Sequence, residues 1–188
     1  SLRVAVAFAL VYGGASYITG LHAVRWRVHT DWELGLPFIA PFTAVYLSLN
    51  LVMGLAPWVL RREAEFLALV KTMLAELFIA GLFFLLFPAE LRFPVPRVEG
   101  FWAPFLLTAD TINLDYNLLP SLHVAFALSV AEAYAARRGL LGRTLLRCWA
   151  WAVCASTVLT YQHHAADVAA GAALAWAANR RYLGKGLV

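Results

Sequence analysis

Residues 140–182, LLGRTLLRCWAWAVCASTVLTYQHHAADVAAGAALAWAANRRY, contain two apolar segments joined by a short polar break, YQHHAAD, at positions 161–167. Ionisable side chains are costly in a hydrocarbon environment, so two histidines and an aspartate at this break require a reason. About forty residues upstream, LPSLHVAFAL at 119–128 places Ser121 and His123 at the head of another apolar segment. Two polar clusters therefore flank neighbouring apolar segments.

The composition excludes an ordinary soluble domain. The chain has 188 residues, of which 62% are hydrophobic and 14% charged, and its mean hydropathy is +0.71. This is more apolar surface than one core can hide, and it predicts an integral membrane protein. At roughly 20 apolar residues per span, the length allows about six short-looped spans.

We therefore predict an all-α bundle of six transmembrane helices in a single domain, residues 1–188. The predicted spans are 4–24, 36–60, 66–87, 119–136, 140–161 and 165–182. Alanine dominates the last span, which indicates a tightly packed interior helix. The chain starts at Ser1 rather than at methionine, so the prediction leaves room for natural sequence, including a further domain, beyond its ends.

The basic residues set the expected orientation, because alternate loops of a six-span bundle lie on opposite faces. Four of them fall on one face: Arg25, Arg27, Arg92 and Arg97. Eleven fall on the other: Arg3, Arg61, Arg62, Lys71, Arg137, Arg138, Arg143, Arg147, Arg180, Arg181 and Lys185. The positive-inside rule then places both termini in the cytoplasm and the polar clusters on the outer face. Topology thus explains the net charge of +4, and no nucleic-acid partner is expected.

Two histidines at one depth suit phosphoryl transfer. A neutral imidazole can attack phosphorus, while a second, protonated one gives a proton to the departing alkoxide. On a helix, His163 and Asp167 would share a face, where the carboxylate can orient the ring. We therefore expect His163 as the nucleophile, Asp167 as its orienting carboxylate and His123 as the acid.

The transferring phosphoryl group carries negative charge that needs cationic and hydroxyl donors. Arg92 and Arg97, in the long loop at 89–118, and Ser121 are the expected phosphate-binding residues. A zinc ion held by His163, His164 and Asp167 is disfavoured, because adjacent side chains on a helix diverge by about 100°. His164 is either a second phosphate donor or a residue that points into the bundle, and we expect the second. We expect neither a metal nor a cofactor to be required.

These residues resemble the type 2 phosphatidic acid phosphatase (PAP2) superfamily. PSLH at 120–123 is similar to its second signature, PSGH, and the spacing of Ser156, His163 and Asp167 is similar to its third. The resemblance covers residues 92–171. It implies a six-helix membrane fold, metal-independent cleavage through a phosphohistidine, and lipid phosphate or diphosphate substrates. It also implies the roles given above to His163, Asp167, His123 and Ser121.

The chain departs from the family pattern at three points. Leu122 stands where most members have glycine, Thr157 stands where the third signature has arginine, and the first signature, a lysine followed by an Arg-Pro pair, is not present as such. Arg92 and Arg97 take its place by position and charge. PSLH with a paired HH is most similar to the branch of inositol phosphorylceramide synthases and related bacterial proteins, in which the acceptor is an alcohol.

The sequence therefore predicts a lipid phosphatase of a bacterial inner membrane, with its site on the periplasmic face. Transfer of a phospho-head-group to an alcohol is the alternative within this chemistry. From another class, a non-catalytic membrane scaffold or transporter would bind through the same residues without turnover. The partner is a phospholipid, polyprenyl or sphingolipid phosphate, and the sequence does not select among them.

Overall fold

The computed structural model describes residues 6–114 and 116–184 and has the predicted all-helical architecture. Within them the longer helices are α1 (Val6–Gly20), α2 (Phe42–Gly54), α3 (Glu63–Leu86), α4 (Ala103–Ile112), α5 (Leu122–Ala135), α6 (Leu140–Leu159) and α7 (Ala165–Ala178). Shorter helical segments are Ala9–Gly13 inside α1, Asp31–Gly35, Ala56–Val59, Gly100–Trp102, and Asn179–Leu183 after α7. Within the described residues, strand-like pairing is limited to one bridge, which joins Trp26 and Ala89.

Six of the longer helices lie within or close to the six predicted spans, and α4 lies in the long loop. The largest difference is at α2, which begins at Phe42 rather than near residue 36. Proline disfavours a helical residue before it and removes a donor, so Pro37 and Pro41 delay the helix. The non-helical segment is held instead by the Ile39 N–H, which donates to the Leu159 carbonyl at 2.9 Å.

Helix α5 occupies the centre of the bundle. Every residue in it except His123, Leu128 and Glu132 is buried, and it packs against α2, α3, α6 and α7. Its many alanines allow the neighbouring helices to approach closely. The prediction that α7 is the interior helix is wrong, because Trp176 and several alanines of α7 face outward.

Helix α3 is long and apolar enough to cross a membrane; among the described helices it alone meets both criteria. Helices α1, α2 and α5 are apolar but shorter. The 13 residues of α2 rise only about 20 Å at 1.5 Å per residue, against a hydrocarbon core of about 30 Å. Length and apolar composition together therefore single out α3 among the described helices.

The outer surface of the bundle is apolar and its interior contains polar groups. Leu10, Leu51, Leu82 and Leu141 are all more than half exposed. Buried polar side chains lie inside, among them Thr43, Thr72, Glu76, Ser129, Ser156 and Thr157. Exposed large apolar side chains in this number favour contact with lipid or with another protein.

Candidate functional site

The two polar clusters meet where the start of α5 packs against the start of α7. The Ser121 N–H donates to the Asp167 carbonyl at 3.0 Å. Gly171, one turn further along α7, lies against the same point, since a Cβ there would be 2.5 Å from the Ser121 carbonyl oxygen. A glycine at this position therefore lets the helix that carries His123 approach the helix that follows His163.

The polar break folds as a tight turn between α6 and α7. Tyr161 adopts a left-handed conformation with φ of 61°, which is uncommon for a residue other than glycine. The N–H groups of Gln162 and His163 both donate to the Thr157 carbonyl, at 2.9 and 3.0 Å. The Tyr161 hydroxyl donates to the Leu36 carbonyl at 2.6 Å. The turn is thus fixed from both sides, and both histidines point inward.

His163 and Asp167 are paired, but through a different geometry from the predicted one. Helix α7 begins at Ala165, so His163 precedes the helix and does not share a helical face with Asp167. Asp167, in the first turn, reaches back: its Oδ2 accepts from the His164 N–H at 2.9 Å. The same oxygen lies 3.5 Å from Nδ1 of His163, which is within ion-pair distance, but among the described residues this nitrogen makes no hydrogen bond. Both side chains are buried. Because Nδ1 faces the carboxylate, Nε2 is the ring nitrogen directed away from it.

His123 lies in the first turn of α5, two residues after Ser121, whose N–H is bonded to the Asp167 carbonyl. Its Nδ1 is 3.1 Å from the hydroxyl of Tyr46 on α2, and the two rings stack with centroids 4.0 Å apart. Its Nε2 is buried and has no hydrogen-bond partner among the described residues. Tyr46, which sequence reasoning missed, therefore orients the predicted acid.

An apolar cavity of about 700 Å³ opens beside His123. It is enclosed by α1, α2, α3 and α5, with contributions from Leu49, Met53, Met73, Leu77 and Phe126. The cavity extends from His123 to Gly54 at the end of α2. Its volume lies within the range of about 300–1,000 Å³ that is usual for ligand pockets.

The side chains of the predicted phosphate-binding residues make contacts outside the histidine pair. Ser121 is the N-cap of α5, and its Oγ accepts from the Val124 N–H at 3.4 Å. The Arg92 guanidinium is 64% exposed and pairs with Glu90 at 3.2 Å, and Arg97 is also exposed. Arg92 meets the histidine cluster through its backbone instead. Its N–H donates to Nε2 of His164 at 3.1 Å.

His164 points into the bundle, as expected, and there it meets Glu33, which sequence reasoning missed. Glu33 belongs to the helical turn Asp31–Gly35 between α1 and α2, and its side chain is only 1% exposed. Its Oε2 lies 3.2 Å from Nδ1 of His164 and accepts from the Ala165 N–H at 2.8 Å. Phe93 stacks on the other side of the His164 ring, with centroids 4.5 Å apart.

The environments of these two groups shift their pKa values. Burial lowers the pKa of His164 and outweighs the neighbouring carboxylates of Asp167 and Glu33. Burial alone would raise the pKa of Glu33, but hydrogen bonds from Thr30 and Ala165 outweigh it and hold this pKa below its usual value. Because both pKa values are lowered, His164 is neutral and the neighbouring Glu33 is ionised.

A buried amide network extends the site toward α4 and α1. Gln162 Nε2 donates to Asp110 at 2.7 Å, and its Oε1 accepts from Asn113 at 2.7 Å. The Tyr12 hydroxyl donates to Asn113 at 3.2 Å. These residues were not predicted, since each connects positions at least 49 apart in the chain. They fix the turn that carries His163.

Within residues 6–114 and 116–184, no group of three or more His, Cys, Asp or Glu side chains has a geometry that could hold a metal ion. No protein-family model, curated protein or solved structure matches the chain. The family resemblance of PSLH and HHAAD therefore stays a prediction from those residues.

Proposed function

We propose that this chain is a six-span membrane enzyme that cleaves a lipid phosphate or diphosphate ester by attack of His163 on phosphorus. The observation that carries the proposal is the joining of Ser121 to Asp167, which brings the first turn of α5 and its His123 beside the His163–Asp167 pair. Two histidines that are held separately, one by a carboxylate and one by a phenol, suit two different roles.

The reaction has two steps. Nε2 of His163 forms a bond to phosphorus, the bond from phosphorus to the lipid oxygen breaks, and His123 transfers its proton to the departing alkoxide. Water then attacks the phosphohistidine, the N–P bond breaks, the now neutral His123 takes the proton of the water, and phosphate leaves. Asp167 stabilises the positive charge that forms on the His163 ring.

The first turn of α5 supports binding of the phosphoryl group, because the N-terminus of a helix presents N–H groups and a partial positive charge to an anion. Arg92 and Arg97 remain our candidates for cationic donors, from the loop whose backbone meets His164. The apolar cavity next to His123 supports a substrate with a hydrocarbon chain.

The membrane assignment rests on three features together. Helix α3 has the length and composition of a span, many large apolar side chains are exposed, and in the sequence the basic residues concentrate in alternate connections between the apolar segments. The crossing of the remaining helices rests on the six apolar segments of the sequence. The histidine site then lies at the less basic end, which the positive-inside rule assigns to the outer face.

Phosphate release in detergent from a panel of lipid phosphates tests the proposal. The panel contains phosphatidic acid, phosphatidylglycerol phosphate, a polyprenyl diphosphate and a sphingolipid phosphate, each with and without an alcohol acceptor and with EDTA. We expect EDTA-resistant release of phosphate that His163→Ala abolishes and that His123→Ala lowers by roughly 10²–10⁴-fold. Phosphorus recovered on the alcohol instead identifies a transferase. Full turnover in either variant would refute the histidine mechanism, and no turnover with any lipid would favour a scaffold or transporter.

A further inference from the structure

The carboxylate of Glu33 accepts hydrogen bonds from more donors than the side chain of any predicted site residue does. Its Oε1 accepts from the Thr30 N–H at 3.0 Å and from the Thr30 hydroxyl at 2.6 Å. Its Oε2 accepts from the Ala165 N–H at 2.8 Å and faces Nδ1 of His164 at 3.2 Å. Four donors converge on one buried carboxylate, from the loop after α1 and from the start of α7.

The contacts of His164 fix its tautomer. Nε2 faces the backbone N–H of Arg92, which can only donate, so Nε2 must be an unprotonated acceptor. Nδ1 faces a carboxylate oxygen, so Nδ1 must carry the proton. His29, the other titratable group packed on this ring, lies with its centroid 5.0 Å away, and Asp167 faces the His164 backbone N–H rather than its ring.

We propose that Glu33 is a positioning residue of the phosphoryl-transfer site, holding His164 in the Nδ1–H form so that Nε2 binds the Arg92 N–H. Through this one ring, Glu33 joins the loop after α1, the loop after α3 and the first turn of α7. The loop after α3 carries Arg92 and Arg97, and the first turn of α7 carries Asp167, shortly after His163. Glu33 itself touches no reacting atom, and its effect on catalysis rests on the function proposed above.

The amide in Glu33→Gln cannot reproduce the four contacts. Whichever oxygen position the amide nitrogen takes, it faces a backbone donor, the N–H of Thr30 or of Ala165. An amide donor aimed at Nδ1 of His164 would favour the Nε2–H tautomer, which opposes the Arg92 N–H. With the amide nitrogen at the Oε1 position instead, the oxygen still accepts from Nδ1 of His164, but as a neutral acceptor, and the Thr30 N–H loses its partner. The substitution therefore keeps the shape of the side chain but weakens or reverses the contact that holds the His164 tautomer.

The test is ¹⁵N NMR of the histidines at neutral pH, in purified full-length chain in detergent, with signals assigned through single-histidine variants. In the native chain we expect His164 to show the neutral Nδ1–H pattern. In Glu33→Gln we expect the His164 signals to change, the His163 signal to shift, and kcat/KM to fall by about tenfold to a hundredfold. Glu63→Gln, at an exposed glutamate in the first turn of α3, is the matched control and should leave all three unchanged.

Two further measurements keep the proposal open to refutation if Glu33→Gln does not fold. Thr30→Val removes one donor from an exposed residue and should shift both histidine signals in the same direction by less. A native His164 that is doubly protonated, or protonated at Nε2, overturns the proposal without any variant. So does a Glu33→Gln protein with unchanged His163 and His164 signals.

The positioning role of Glu33 and the proposed function can be refuted independently of each other. If no lipid phosphate is turned over, the function fails, while the His163 signal in Glu33→Gln still decides whether Glu33 positions that ring. If the lipid is turned over and the Glu33→Gln protein retains full kcat/KM despite an altered His164, the positioning role is refuted and the function stands.

Discussion

Glu33 precedes His164 by 131 positions in the chain, yet its Oε2 lies 3.2 Å from Nδ1 of His164 in the interior of the protein. This contact joins a short helical turn between α1 and α2 to the turn that presents the histidine pair. Ser121 and Asp167 form a second such link, between α5 and α7. The candidate site is therefore held by contacts among several connecting segments rather than by one helix pair.

Substitution of the predicted acid should reduce the rate without preventing folding. A general acid contributes roughly 10²–10⁴-fold to a rate, so we expect His123→Ala to lower kcat by this factor. His163→Ala should reduce turnover to background. His22→Ala, at an exposed histidine, is the control and should retain native kcat. A His123→Ala protein within twofold of native activity contradicts the role of His123.

The close approach of α5 and α7 should not tolerate a methyl group at Gly171. A Cβ there would lie 2.5 Å from the Ser121 carbonyl oxygen, which cannot move without shifting the start of α5. We expect Gly171→Ala to cost about 1–3 kcal/mol, as overpacking usually does, and to lower kcat. The thermal midpoint of the purified protein measures the first effect.

Gly14→Ala is the matched control for that substitution, because a Cβ at Gly14 meets nothing within 4 Å. Its thermal midpoint should stay the same or rise slightly, since alanine favours a helix over glycine. Equal midpoints for Gly171→Ala and Gly14→Ala would show that the two helices are less closely packed than described here.

Acid should weaken the fold through His164 and Glu33. Both groups have pKa values that are lower in the folded protein than in the unfolded chain, so the unfolded chain binds more protons as the pH falls. Stability should be complete above about pH 6.5, the usual pKa of histidine, and decrease below it, with a further decrease below the usual range of glutamate.

Thermal midpoints in detergent between pH 8 and pH 5 check this prediction. Replacement of His164 by asparagine should flatten the decrease that begins near pH 6.5, whereas His22→Gln should not. A midpoint that increases on acidification to pH 5 would contradict the buried, neutral state of His164.

Gly54 should limit the length of the lipid chain. It lies at the far end of the cavity from His123, and a Cβ there meets no atom within 4 Å, so a larger side chain can enter the empty volume. We expect Gly54→Leu to raise KM for long-chain substrates several-fold more than for short-chain ones. Leu51→Ala, on the exposed face of the same helix, should leave KM unchanged for both long-chain and short-chain substrates. Equal effects on long-chain and short-chain substrates would show that the hydrocarbon chain of the lipid does not enter this cavity.

Local patterns in the sequence predicted much of the helical structure. Pro120 and Ser121 mark the start of α5, and the apolar segments located six helices. The pairing of His163 with Asp167 was predicted for the wrong geometric reason. The spacing suited a helical face, but the contact forms because Asp167, in the first turn of α7, folds back toward the residues before the helix.

Long-range contacts could not be predicted in the same way. TDWE at 30–33 has the pattern of a capping box, which accounts for the contact of Glu33 with Thr30 but not with His164. Tyr46 reads as an ordinary aromatic residue of a span, and only the packing of α2 against α5 places it on His123. Such pairs depend on tertiary packing, which no local period encodes.

The most direct test of the central claim is rapid alkaline trapping of the protein during turnover of a radiolabelled lipid phosphate, followed by peptide mass spectrometry under non-acidic conditions. The account predicts an acid-labile, base-stable phosphoryl group on His163, which is absent in His163→Ala and present in His22→Ala. Turnover with the phosphoryl group on another residue, or full turnover in His163→Ala, would contradict it.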